Sequence, residues 1–348
     1  MRDTALMLLA LLLPLQTNLH LIPDDIPSVS AECAILCAAD GEVLFERDAD
    51  RIMPIASLTK LMTALVAAEC CDAAENVRIT REMCGLEGSS MYLEPGEILS
   101  VHELLLGLLL VSGNDAAEAL AIHCAGSEEA FCRLMNDKAE ALGMENTHFI
   151  NPHGLNDPLH YSTARDMALL MKAVMEDPML AEINRLRSAV VGDRLLMNHN
   201  KLLGQLPGCI GGKTGYTSAA GRCLVSSAQR GGTLFICVTL ADPDDWNDHC
   251  ALYEWAFSHF KGYVIADELS VYSVPLLAGT VKQALVVPAY EHRMLLPVGS
   301  DPKLRIELPP YVFAPVRAGS PAGRLIVVLE NKNILEIPLV YAQDYPLF

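Results

Sequence analysis

The sequence predicts an α+β domain followed by a small all-β domain. Three observations carry this. The 348 residues suffice for one large or two moderate domains. In the first part of the chain, apolar residues recur at helical spacing and then in strand-like runs. Past Gly262 only short β-rich runs remain, separated by prolines and glycines. The expected bounds are 28–262 for the first domain and 266–348 for the second.

The chain opens on an apolar run, residues 5–15, behind Arg2. That is shorter than the roughly 20 residues a membrane-spanning helix needs. It reads as the apolar region of a secretory signal over 1–20, with Gln16-Thr17-Asn18 after it and an uncleaved N-terminal anchor as the alternative. Ala34-Ile35-Leu36 and Val43-Leu44-Phe45 flank Asp40-Gly41, which predicts a hairpin. Leu58, Leu61, Met62 and Leu65 predict a helix over 57–69. Ser100 and Glu103 form a capping box for a very apolar helix ending near Val111. Helices follow over 115–125, from Ser127 to a closing Gly143, and over 163–176. Strands are expected over 195–197, 210–217, 223–229 and 233–240, then a helix over 248–260. In the second domain the strand-like runs are 271–274, 283–287, 303–307 and 325–329.

A hydrophobic share of 51% with 20% charged residues fits a globular chain. The net charge of −18 makes nucleic acid or an anionic membrane surface a poor partner. An anionic small substrate needs a local positive spot. The 11 cysteines include no CxxC pair, so neither a zinc site nor a tight disulfide framework is indicated. Most read as small buried apolar side chains.

Three short motifs stand in order. Ser57 and Lys60 are spaced i, i+3, which puts both on one helix face. An amine buried against Leu61 and Met62 loses basicity by desolvation and, once neutral, can take the proton of Ser57. Ser112-Gly113-Asn114 lies between two helices, where Ser112 can bridge Lys60 and a leaving group as proton relay. Asn114 can hold Lys60 and accept substrate backbone through its amide. Lys213-Thr214-Gly215 starts a strand, and an edge strand can pair with an extended peptide. Lys213 and Thr214 suit a substrate carboxylate, Gly215 lets an acyl group come close, and the backbone N–H of Tyr216 with that of Ser57 suits an oxyanion.

Each motif alone has a plainer reading. Ser258 and Lys261 repeat the Ser–Lys spacing with no companions, Ser112-Gly113-Asn114 could be a turn, and Gly211-Gly212 could simply precede a strand. The ordered triple is what points to acyl transfer on a substrate ending in a free carboxylate.

With Met53-Pro54-Ile55-Ala56-Ser57, Gly88-Ser89-Ser90-Met91-Tyr92-Leu93, Asn151-Pro152-His153-Gly154-Leu155, Tyr161-Ser162-Thr163-Ala164-Arg165-Asp166 and Gly221-Arg222-Cys223, these motifs resemble the D-alanyl-D-alanine carboxypeptidases. Those are low-molecular-weight penicillin-binding proteins, serine peptidase family S11. The resemblance covers most of residues 31–260. It implies a transpeptidase-like domain, an antiparallel sheet flanked by helices, with a β-rich C-terminal domain. It implies an enzyme that removes the terminal D-alanine from peptidoglycan stem pentapeptides through an acyl-enzyme on Ser57. β-Lactams would acylate the same serine, and no metal or cofactor is implied. The setting implied is extracytoplasmic: the cell wall, the outer face of the membrane, or secreted.

Three positions depart from the family pattern. Ile210 stands where many relatives have an aspartate three residues before the motif lysine. Asp244, Asp245 and Trp246 stand where some carry an arginine, and no amphipathic membrane helix is expected before Phe348. Among rivals, a β-lactamase needs a deacylating glutamate, and no ExxLN stretch follows Ser112. A metallohydrolase would draw on His153, Asp157, His160 and His249, which lack HExxH spacing; the plainer reading is that His153 and His160 shape a loop at the cleft. A non-catalytic peptidoglycan or β-lactam binder would have no need of the whole set.

Overall fold

The structure is a computed structural model that describes Pro23 and residues 25–348. The expected signal over 1–20 lies outside the described residues. Two compact units are present, Pro23–His259 and Phe260–Phe348.

In the first unit the hairpin β1 (Cys33–Ala38) and β2 (Val43–Arg47) forms around Asp40-Gly41. Gly41 adopts φ +95°, and Asp40 Oδ1 accepts the N–H of Glu42. A 3-10 turn, Ala56–Thr59, leads into α1 (Lys60–Cys70). A small hairpin, β3 (Asn76–Arg78) and β4 (Ile98–Ser100), precedes α2 (Val101–Leu110). The capping box is present: Ser100 Oγ accepts from Glu103 N–H, and Glu103 Oε2 accepts from Ser100 N–H at 2.7 Å. Leucines line almost every side of α2, so it runs through the core.

Next come α3 (Asn114–Ala125), α4 (Glu128–Ala141), α5 (Ala164–Glu176) and α6 (Pro178–Arg185). The sequence reading passed over α6, although Asp177 caps it and Pro178 occupies its first turn. A hairpin, β5 (Ser188–Val191) and β6 (Arg194–Met197), and the short α7 (Leu202–Gln205) lead to the sheet's remaining strands. These are β7 (Cys209–Thr217), β8 (Gly221–Arg230) and β9 (Thr233–Leu240), followed by α8 (Asp245–His259). The sheet is antiparallel throughout, in the order β2-β1-β9-β8-β7. The strand with the lysine motif is therefore an edge strand. One core gathers α1, α2, α3 and α5 with the sheet.

The second unit is all-β: β10 (Phe260–Ala266), β11 (Tyr272–Leu277), β12 (Gln283–Pro288), β13 (His292–Pro297), β14 (Lys303–Glu307), β15 (Val312–Phe313), β16 (Pro321–Leu329) and β17 (Lys332–Tyr341). Six form a sheet in the order β14-β16-β17-β12-β11-β15, and β10 pairs with β13. Alternating Val274, Val286, Leu325, Val327, Ile337 and Leu339 supply its core.

Fewer cysteines are buried than expected. Cys33, Cys37, Cys132, Cys223 and Cys237 are core residues, Cys70 is exposed, and the rest are half-buried.

Burial pushes the imidazole of His249 from 6.5 down to about 3. Ser226 Oγ and Thr239 Oγ1 hold its two ring nitrogens at 2.7 and 3.1 Å. A lowered folded value stabilises the fold fully above pH 6.5, and this is lost as pH falls toward 3. Urea denaturation at pH 6.5 and about 5 should give a stability loss about 2 kcal/mol smaller in His249→Gln than in the parent protein. An unchanged loss would contradict the assignment.

Candidate active site

The 3-10 turn presents Ser57. Ala56, just before it, adopts φ +47°, a conformation costing an ordinary residue about 1–3 kcal/mol. The surroundings hold it. Thr59 Oγ1 donates to Ala56 O at 2.8 Å and accepts from Nε2 of His160 at 2.7 Å. Nδ1 of His160 in turn accepts the N–H of Ile150 at 3.2 Å, which defines the Nε2–H tautomer. Burial pushes His160 down to about 4, so it stays neutral. Gly154 (φ +88°) packs against the Ala56 carbonyl so closely that any Cβ would collide with it.

Lys60 sits one turn below Ser57 and is fully buried. Its Nζ lies 3.0 Å from Ser57 Oγ, 2.7 Å from Asn114 Oδ1 and 2.5 Å from His153 O. Burial first, and the charge of Lys213 second, hold its basicity well below that of an ordinary lysine. A neutral amine has two N–H bonds, which Asn114 and His153 accept. Its lone pair then faces the Ser57 hydroxyl. The loop that carries His153 is itself tied down: Asn151 Oδ1 accepts from Gly154 N–H, Asn151 Nδ2 donates to Leu155 O, and Thr63 Oγ1 donates to Pro152 O.

Ser112 follows α2 at φ +61°, another strained position. Its hydroxyl accepts from Lys213 Nζ at 2.9 Å, so its partner here is Lys213 rather than Lys60. The amide of Asn114 is tied to the neighbouring loop as well: one Nδ2 N–H donates to Glu87 O at 2.5 Å. Gly113 has a local reason to be glycine. A Cβ there would stand 2.8 Å from Asp115 Oδ1 and 3.2 Å from Met91 N.

Buried Asp115 orders the loop beside the site. It accepts from Ser90 Oγ and from the N–H groups of Met91, Leu93 and Ala116, at 2.6–3.0 Å. That loop turns at Tyr92 (φ +62°) and leaves its ring exposed.

Lys213 is buried on the edge strand, with Thr214 half-exposed and Tyr216 exposed beyond it. Burial pushes Lys213 down to about 7, and its Nζ also donates to Thr214 O at 2.7 Å. Gly215 is explained by the protein's own backbone. A Cβ there would lie 3.0 Å from Ile55 O and 3.1 Å from Ser57 N, so a larger residue would push β7 away from the Ser57 turn by a few tenths of an ångström. All eight expected residues thus fall on α1, α3, the α2–α3 turn, the Ser57 turn and β7.

The sequence reading did not give Thr59, Asp115 or the backbone of His153 a part. His160 does shape the cleft loop, as the plainer reading had it. His249 lies under the sheet with both ring nitrogens taken, so no site gathers the four metallohydrolase candidates. The acidic Asp244–Asp245 pair is not bare either. Arg222, cross-strand from Tyr216, pairs with buried Asp245 and stacks 5.8 Å over Trp246.

The comparisons agree with this fold. The family described as D-alanyl-D-alanine carboxypeptidase matches residues 22–244, and the C-terminal domain of penicillin-binding protein 5 matches 260–346. Penicillin-binding protein 5 from Haemophilus influenzae superposes with a TM-score of 0.79 at 29% identity, covering 92% of this chain and 98% of that one. The fold is that of a transpeptidase-like penicillin-binding protein with an all-β C-terminal domain. D-alanyl-D-alanine carboxypeptidase DacF of Bacillus subtilis is 32% identical over 90% of this chain and 85% of its own length. DacC of Escherichia coli is 34% identical, over 92% and 85%. The chain belongs to the D-alanyl-D-alanine carboxypeptidases of peptidase family S11.

Replacing Asp115 by Ala removes four accepted hydrogen bonds, three from the loop at Ser90–Leu93 and one from the first turn of α3. Denaturant titration should show a loss of about 3 kcal/mol. A loss under about 1 kcal/mol would mean that the loop does not depend on this carboxylate.

Proposed function

We propose that the protein is a serine-type carboxypeptidase that removes the terminal D-alanine from peptidoglycan stem pentapeptides. The observation that carries this reading is the 3.0 Å approach of Ser57 Oγ to a buried amine whose other two partners are acceptors. Lys60 takes the Ser57 proton as Oγ attacks the penultimate carbonyl. The N–H groups of Ser57 and Tyr216 hold the oxyanion. Lys60 gives that proton up through Ser112 to the nitrogen of the departing D-alanine, which leaves the amine neutral again, and Asn114 keeps Lys60 in line. Lys213 and Thr214 bind the terminal carboxylate, one as a charge and one as a hydroxyl donor. Water, activated by the same amine, then releases the shortened peptide. A β-lactam acylates Ser57 and stays, because its leaving group remains tethered. No step calls for a metal or cofactor.

The substrate lies outside the cytoplasmic membrane, so the chain acts there, with residues 1–20 as signal or anchor. No described helix is long and apolar enough to cross a membrane. The catalytic work belongs to the first unit, expected over 28–262 and compact over Pro23–His259, and the separate β domain, expected over 266–348, begins with β10 at Phe260.

Incubation with a peptide ending in Lys-D-Ala-D-Ala should release D-alanine. Lys60→Ala should lower kcat by about 10²–10⁴-fold, and Ser57→Ala should abolish both release and the penicillin adduct. Rapid turnover of bound penicillin would instead make the protein a β-lactamase. A chain that neither cleaves nor forms an adduct would be a binder.

The pH profile tests Lys213 separately. Its charge is present below pH 7 and is lost above, so KM for the peptide should rise as pH climbs through about 7. The bound carboxylate stabilises the ammonium, so kcat should hold to higher pH than kcat/KM. A KM that stays flat from pH 6 to about 9 would remove Lys213 from carboxylate binding.

A further inference from the structure

We propose that Cys71 and Cys124 form a disulfide that staples the far ends of α1 and α3. The two helices lie side by side and run the same way. At their first turns Lys60 Nζ meets Asn114 Oδ1 at 2.7 Å. At their last turns Cys71 Sγ meets Cys124 Sγ at 2.9 Å. Each cysteine follows its partner at nearly the same distance along the helix, so matched helical rise brings both pairs together. Among the described residues this is the only thiol pair in hydrogen-bonding contact. Small side-chain rotations would bring the sulfurs to bonding distance, about 2.05 Å.

The surroundings favour the reaction. A ring nitrogen of His123 and a carboxylate oxygen of Glu75 lie within 4.8 Å of Cys71 Sγ, which gives that thiol a nearby base. Burial, and then the bond to Cys71, push the Cys124 thiol up, so Cys71 attacks first. Both side chains are half-buried and within reach of solvent. The oxidant is a disulfide, either a small molecule or a dithiol oxidase. The Cys71 thiolate attacks one of its sulfurs, the oxidant's S–S bond breaks, and the leaving sulfur takes up a proton. Cys124 then attacks Cys71 of the mixed disulfide and expels the second sulfur as a thiol. In all, two electrons and two protons pass from the cysteines to the oxidant.

This inference rests on packing and not on the carboxypeptidase reading. It makes the relation between the two catalytic helices redox-dependent. The bridge would close a loop spanning 53 positions, which should raise the thermal midpoint by roughly 5–10 °C.

The test treats the full chain with oxidised glutathione, blocks residual thiols under denaturant and maps the tryptic peptides by mass spectrometry. The expected result is a Cys71–Cys124 crosslinked peptide, lighter by two hydrogens, that dithiothreitol reverses. The thermal midpoint should rise with it. Cys70→Ser should keep both effects, and Cys124→Ala should lose them. Full alkylation of both cysteines after oxidation overturns the proposal. So does a crosslink through Cys70, or thiols shielded only while added zinc is bound.

Discussion

Burying the amine of Lys60 is the constraint from which the site follows. A primary amine withdrawn from water needs partners for its N–H groups, and a charged one also loses hydration that neutral oxygens replace only in part. The three partners come from three separate elements: the Ser57 turn, the start of α3 and the loop at His153. Each must be held to a few tenths of an ångström. Much of the remaining polar structure does that holding, with Asn151 and Thr63 on the loop and Asp115 on the segment facing α3. Lys213 adds a second buried amine nearby, and its charge further disfavours an ammonium at Lys60. In the proposed mechanism the two lysines divide the work: one is kept able to accept a proton, the other is available to an anion.

The close packing around Ser57 shows what holds a strained turn in place. Ala56 and Ser112 both sit where the backbone of an ordinary residue is costly. Gly154 on one side and Gly215 on the other press directly on the Ser57 turn, leaving no space for a Cβ at ordinary contact distance. The turn is clamped between a loop and a strand, and Thr59 with His160 fastens its carbonyl from below. Rigidity here has a chemical use, since the Ser57 N–H must point at one place before substrate arrives.

Much of this was legible in the residues, and what was not has a physical reason. Helix α2 could be read because its capping box and leucines are local signals. The helix at Ser57 came out one turn too early, because the 3-10 turn depends on contacts from residues nearly a hundred positions away. Helix α6 carried a readable Asp-Pro start, yet the segment is short. Strand β17 was missed although Leu335, Ile337, Leu339 and Tyr341 alternate cleanly, because Pro338 argues against a central strand. The motif residues were found by spacing, but their partners were not. Nothing in Ser112-Gly113-Asn114 says that the serine will face Lys213, or that Asn114 will give one amide N–H to Glu87.

The position of β7 carries a cost that its chemistry conceals. A strand left unpaired so that a peptide can join it is also a surface on which two protein molecules can join. Here the open stretch is short. The ladder to β8 is irregular between Cys209 and Gly211, and Gly212 turns to φ +151°. The regular edge runs from Gly211 to Thr217, paired residue for residue with Ser227 to Gly221 of β8. A few residues of an extended peptide match that length, whereas a longer strand would meet the irregular start of β7 and lose its register. A register break of this kind is one of the ways a sheet edge is blunted against pairing with a second chain.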